Sequence, residues 1–203
     1  MSDRLSRGIS VVFHPIFIPI YTLVLLLNQD LMLALIIPVK TKLILSCIVF
    51  LTTIVIPFFS VWVFYRMKLV SSILLKTREE RIYPLLIIAI FYYMTYYLLR
   101  SFPMTFLFSF YMLGSAFLVI LALIISFRMK ISLHMIGIGG VLGLLIGLSF
   151  TISTDLSLLI FPAILLCGVV GSARLNENSH KSSEIYTGFL AGVVVMSCLF
   201  LLV

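Results

Sequence analysis

Residues 105–127, TFLFSFYMLGSAFLVILALIISF, contain no charged side chain. About 20 mostly apolar residues are enough for a helix to cross the hydrocarbon core of a bilayer. This stretch meets that length, and comparable runs lie at 10–28, 42–65, 84–100, 133–151, 157–172 and 185–203. Across all 203 residues the chain is 63% apolar and 10% charged, with a mean hydropathy of +1.28. An ordinary soluble domain is roughly 45–50% apolar and about 25% charged. The excess cannot be hidden in one small core, because so much of a small domain's surface stays wet. A soluble globule, a disordered chain, a coiled coil and a disulfide scaffold are therefore excluded. The expected fold is an all-α polytopic transmembrane helical bundle of six or seven spans, with residues 1–203 forming a single integral membrane domain.

The short loops carry the charge. With seven crossings, the N-terminus and the loops 66–83, 128–132 and 173–184 share one face. Of the 14 Lys and Arg residues, only Lys40, Lys42 and Arg100 fall on the other. The positive-inside bias makes the first face cytoplasmic. It also accounts for the net charge of +7 without nucleic acid as a partner, since no basic residue lies on a broad solvated surface. The basic opening MSDRLSRGIS runs into apolar sequence with no small-residue cleavage site, so 10–28 reads as a retained first span. The run at 31–38 is too short to cross, ends at Pro38, and reads as an interfacial lip. The segment 157–172 is short as well. A six-crossing alternative makes it re-entrant.

Small and aromatic residues carry packing information. Gly139, Gly143 and Gly147 recur every four residues, and Gly188 and Gly192 repeat the spacing in the last run. Such stripes let helices approach closely. The aromatic run 91–97, FYYMTYY, reads as a lipid-facing interfacial belt. Cys47, Cys167 and Cys198 sit inside apolar runs with no metal-ligand spacing and read as small buried hydrophobes.

Polar residues gather on the first face. LKTREERIYP brings Lys76, Arg78 and Arg81; ISLHMIGIGG puts His134 near a helix start; and GSARLNENSHKSSEIYTG carries Arg174, His180 and Glu184. His180 and Glu184 are four apart, so a helix beginning near 180 sets them on one face. A carboxylate beside an imidazole N–H fixes the tautomer and raises the basicity of the other nitrogen. Such a nitrogen suits attack on phosphorus, or general-base work. Arg174 offers a planar fork for phosphate oxygens. Lys76, Arg78 and Arg81 add positive charge where a phosphoryl transition state spreads negative charge. The same features have plainer readings. KTREER is also what a helix end with exposed ion pairs looks like, and a single histidine, such as His14 in FHP, commonly bonds one carbonyl.

The order of these segments resembles the type 2 phosphatidic acid phosphatase superfamily. Arg174, five residues, His180, three residues, Glu184, then Gly188 and Gly192 resemble its third signature of Ser-Arg, His and Asp leading into a Gly-containing helix. Ser132-Leu133-His134 resembles the second signature, and Lys76 to Pro84 the first; together they cover residues 76–192. The resemblance implies a divergent bacterial, inner-membrane lipid phosphate phosphatase working through a phosphohistidine. In it His180 is the nucleophile, Glu184 orients it, and His134 is the general acid. Arg174, Lys76, Arg78 and Arg81 hold the phosphoryl oxygens. No cofactor or metal is implied. The implied substrates are phosphatidic acid, phosphatidylglycerol phosphate or a polyprenyl diphosphate. Many bacterial relatives place this site toward the periplasm, opposite to the side indicated by the loop charges. The chain departs from the pattern at Ala173, between Ser172 and Arg174, at Glu184 in place of Asp, and at Leu133 in place of Gly. Those departures motivate the alternative of a non-catalytic relative that binds or translocates a lipid phosphate.

Overall fold

In a computed structural model the chain is all-α. The structure describes residues 1–28, 37–71, 79–102, 105–152 and 155–202, and among these there is no strand. The helices, in chain order, are α1 (Asp3–Val12), α2 (Ile18–Leu27), α3 (Val39–Arg66), α4 (Ile82–Leu99), α5 (Phe106–Ser126), α6 (Leu133–Thr151), α7 (Ser157–Asn176) and α8 (Ser182–Leu201). Six of them, α3 to α8, are long and apolar enough to cross a membrane; α4 is extended at its start by a 3₁₀ turn, Glu79–Arg81.

The first apolar run is not one spanning helix. It breaks after Val12, where Pro15 supplies no N–H, and the chain turns through Phe17 N–H to His14 O (2.9 Å) before α2 begins. Each piece is 10 residues long. The run at 157–172, by contrast, extends unbroken to Asn176 despite Pro162, so the short helices lie at 3–27 and not at this sixth run. Most of the proposed lip at 31–38 lies outside the described residues.

Two compact units make up the chain, one from Met1–Ile18 with Lys130–Val203 and the other from Pro19–Met129. In the first unit α6 and α8 pack most closely. A Cβ on Gly143 would stand 2.5 Å from the carbonyl oxygen of Val193, and one on Gly192 would stand 2.5 Å from that of Ile136. The two glycine stripes thus face each other's backbones. A side chain at either position would push the helices apart. α7 packs beside α6, and Met135, Ile138, Leu142, Cys167, Val170 and Ile185 join Ile18 in the core. The outer face of α7 is apolar, with Leu158 87% and Leu165 71% exposed, as expected where lipid is the solvent.

In the second unit α4 packs along α5, and α3 contains a π-helical segment at Leu51–Val55. Pro57 has no N–H for the carbonyl of Thr53, and the turn widens so that Ile56 N–H reaches Leu51 O, five residues back. Thr52, within this segment, has its Oγ1 2.7 Å from that of Thr95 in α4. Residues 91–97 are not uniformly an outward belt. Tyr93 and Tyr97 are exposed, but Tyr92 and Thr95 face the core, because a helix sends residues three and four apart to one side. The cysteines divide likewise: Cys167 is buried, whereas Cys47 and Cys198 are exposed.

Candidate functional site

A polar cluster forms where α1, α6, α7 and α8 meet in the first unit. α7 ends after Ala173-Arg174-Leu175, three good helix formers, so Arg174 lies in its last turn and not in a loop. The chain reverses through Asn178, whose φ of 51° is the left-handed conformation that asparagine tolerates. α8 then starts at Ser182 with Lys181 as its N-cap. Lysine has no acceptor to cap a helix. Glu184, in the first turn, takes over by reaching back to the backbone N–H of Lys181 (3.4 Å).

The same Glu184 oxygen accepts from Nδ1 of His180 at 2.7 Å. His180 stands just outside the helix, so the pair forms through this capping turn and not along a helix face. A carboxylate can only accept, so Nδ1 carries the proton and the neutral ring holds its lone pair on Nε2. The His180 side chain is 3% exposed. Backbone contacts join this turn to the start of α6. Ser132 N–H donates to Glu184 O (3.3 Å), and Gly188 lets the Ser132 carbonyl approach to 2.8 Å of where a Cβ would stand.

His134, the second residue of α6, is buried, and its Nε2 lies 3.0 Å from the backbone carbonyl of Ser10 in α1. The carbonyl accepts, so this nitrogen is the protonated one. Arg174 donates through Nη1 to Glu177 Oε2 (2.6 Å) and to Ser10 Oγ (3.1 Å). His14 joins from the break after α1. Its ring meets that of His134 edge to face, with centroids 5.4 Å apart, and its Nδ1 accepts from Ile16 N–H (3.3 Å). Desolvation, and secondarily the Arg174 guanidinium, holds the His14 pKa below its ordinary 6.5, although part of the ring remains exposed. His134 lies within electrostatic range of Arg174, His14 and His180. Among the described residues, the buried side-chain atoms without a hydrogen-bond partner are Ser132 Oγ, Arg174 Nε and Glu177 Oε1, and all three belong to these segments.

Of the residues singled out in the sequence, His134, Arg174, His180 and Glu184 fall in this one unit. Arg81 ends the 3₁₀ turn before α4 in the other unit, and Lys76 and Arg78 lie outside the described residues. Three participants were not foreseen. His14 had one available signal, since the chain has only three histidines and all of them are here. Ser10 had none, because its role depends on α1 crossing α7, whereas Glu177, three residues after Arg174, had the spacing of a helical ion pair. Among the described residues no three His, Cys, Asp or Glu side chains converge as metal ligands. The arrangement offers a lone-pair imidazole nitrogen, a second imidazole with an N–H, and a guanidinium, which is the chemistry of an oxyanion or phosphoryl group. No family model, curated protein or solved structure matches this chain.

Proposed function

We propose that the protein is a membrane lipid phosphate phosphatase acting through a phosphohistidine on His180. The observation that carries the reading is the 2.7 Å contact from His180 Nδ1 to Glu184, which puts the lone pair of the neutral ring on Nε2. Nε2 attacks phosphorus, and the bond from phosphorus to the lipid oxygen breaks. That oxygen takes a proton from His134, which donates as the imidazolium formed beside the bound phosphoryl charge and returns to the neutral ring. Water then attacks the phosphohistidine and gives its proton to His134. The phosphorus–nitrogen bond breaks, and inorganic phosphate leaves. Arg174 supports the transition state as a guanidinium close to His134, and with Ser132 it contributes a buried donor atom that has no protein acceptor. A site among helix ends of a membrane bundle also meets its lipid substrate already concentrated and oriented.

The substrate class follows from the resemblance of residues 76–192: phosphatidic acid, phosphatidylglycerol phosphate or a polyprenyl diphosphate. One observation favours a second reading, a relative that binds or translocates a lipid phosphate without turnover: Arg174 is engaged by Glu177, and His134 by Ser10. Purified protein assayed for phosphate release from the three lipid classes separates the readings. The phosphatase reading expects release that falls by at least about a hundredfold in His180→Ala and His134→Ala, the usual scale for general acid–base and nucleophilic groups. Equal release from all three proteins overturns it. Binding without release, retained in His180→Ala and weakened in Arg174→Ala, establishes the second reading.

A further inference from the structure

The two sides of α1 have opposite chemistry. Ser6 and Ser10 are buried, while Ile9 and Phe13 pack on the core. Asn176 Nδ2 donates to Ser6 Oγ (2.9 Å) and to Asp3 Oδ1 (3.2 Å). Facing outward are Leu5, Val11 and Val12, 55%, 66% and 51% exposed, with Arg4 and Arg7 also exposed. Serines inside and leucine and valine outside invert the pattern favoured by water. An outer face combining apolar and arginine side chains suits a solvent that accepts both, and the headgroup layer of a bilayer does so.

The contacts also give the direction of the helix. Asp3 and Ser10 are seven residues apart, about 10 Å along α1, yet they meet Asn176 and Arg174, only about 3 Å apart along α7. α1 therefore crosses the end of α7 and does not run beside it. α7 is one of the helices long enough to span, so a helix laid across its last turn lies at the membrane boundary. α1 is itself about 15 Å long, half of what a crossing needs.

We infer that the outer face of α1 is a docking surface for an anionic lipid leaflet, holding the helix in the headgroup layer while its inner face closes over His134 and Arg174. Charge decides for an anionic leaflet over a neutral one. Arg4 and Arg7 are both exposed and outnumber Asp3, the one carboxylate of the helix, which is also exposed and bonded to Asn176. The inference does not depend on any phosphatase activity.

The test uses the full chain with Cys47→Ala and Cys198→Ala, buried Cys167 being kept, and a fluorescent probe on Val11→Cys. The protein is reconstituted in nanodiscs of phosphatidylcholine, with or without phosphatidylglycerol. Lipid bearing a nitroxide high on the acyl chain should quench the probe, and aqueous iodide should quench it at least severalfold less than free dye. Adding phosphatidylglycerol should strengthen the lipid quenching, and Arg4→Gln with Arg7→Gln should abolish that increase. A probe as open to iodide as free dye, with no lipid quenching, overturns the docking surface. Lipid quenching indifferent to phosphatidylglycerol and to both arginines overturns the anionic partner. Leu5→Cys, on the same face, gives the reading independently if the Val11 variant does not fold.

Discussion

At the scale of single residues, His14 and Arg174 constrain each other. A histidine held below its usual pKa is kept neutral in the folded chain, so the unfolded chain binds more protons between the folded value and 6.5. The stability it contributes is present above pH 6.5 and is lost as the pH falls through that window. Thermal unfolding of the protein in nanodiscs should therefore shift down between pH 7 and pH 5. His14→Asn should flatten that slope, and an unchanged slope would place the acid sensitivity elsewhere. The Arg174–Glu177 pair has both side chains mostly buried, at 13% and 15% exposure. Glu177→Gln leaves the guanidinium uncompensated and should cost about 1.5–3 kcal/mol, the value of a charged hydrogen bond, in a denaturation measurement. Under the proposed function the same change frees Arg174 for phosphate, so phosphate should protect the variant more than the wild type.

Among the helices, close backbone approach is the organising feature of the first unit, and the glycines test it. Gly143→Ala puts a Cβ against the Val193 carbonyl at 2.5 Å and should destabilise by about 1–3 kcal/mol, the cost of overpacking. Gly168→Ala is the matched control. Nothing lies within 4 Å of its Cβ position, so that variant should hold or gain, by up to about 1 kcal/mol of helix propensity. Equal losses in the two would mean that the stripe is not a contact surface. Thr95→Val removes the contact with Thr52 in the π-segment and should cost only about 0.6 kcal/mol, as interhelical hydrogen bonds in membranes do. The aromatic run shows the limit of reading helices as classes. FYYMTYY looks like a belt when read as composition, but at helical spacing it divides into an outer face with Tyr93 and Tyr97 and an inner one with Tyr92 and Thr95.

For the molecule as a whole, the first unit is assembled from both ends of the chain, Met1–Ile18 and Lys130–Val203. Deleting residues 1–13 should raise hydrogen exchange at the start of α6 and the end of α7, where Ser10 and Asp3 make their bonds, and leave α4 and α5 unchanged. Uniform acceleration would contradict that assignment. The sequence alone determined that the chain is an all-α bundle and where its long helices run, because lipid demands internal hydrogen bonding and long apolar segments wherever a chain crosses. It also determined that helices with glycine every four residues would touch, and it brought His180 and Glu184 within one turn of each other. Other features were decided only in three dimensions. Chief among these is the meeting of His14 and Ser10 with His134 and Arg174. The reason is physical. Hydrophobicity and local spacing act over one helix turn or one bilayer thickness, whereas Ser10 and Arg174 are 164 residues apart. They meet through helix packing, which no local pattern encodes.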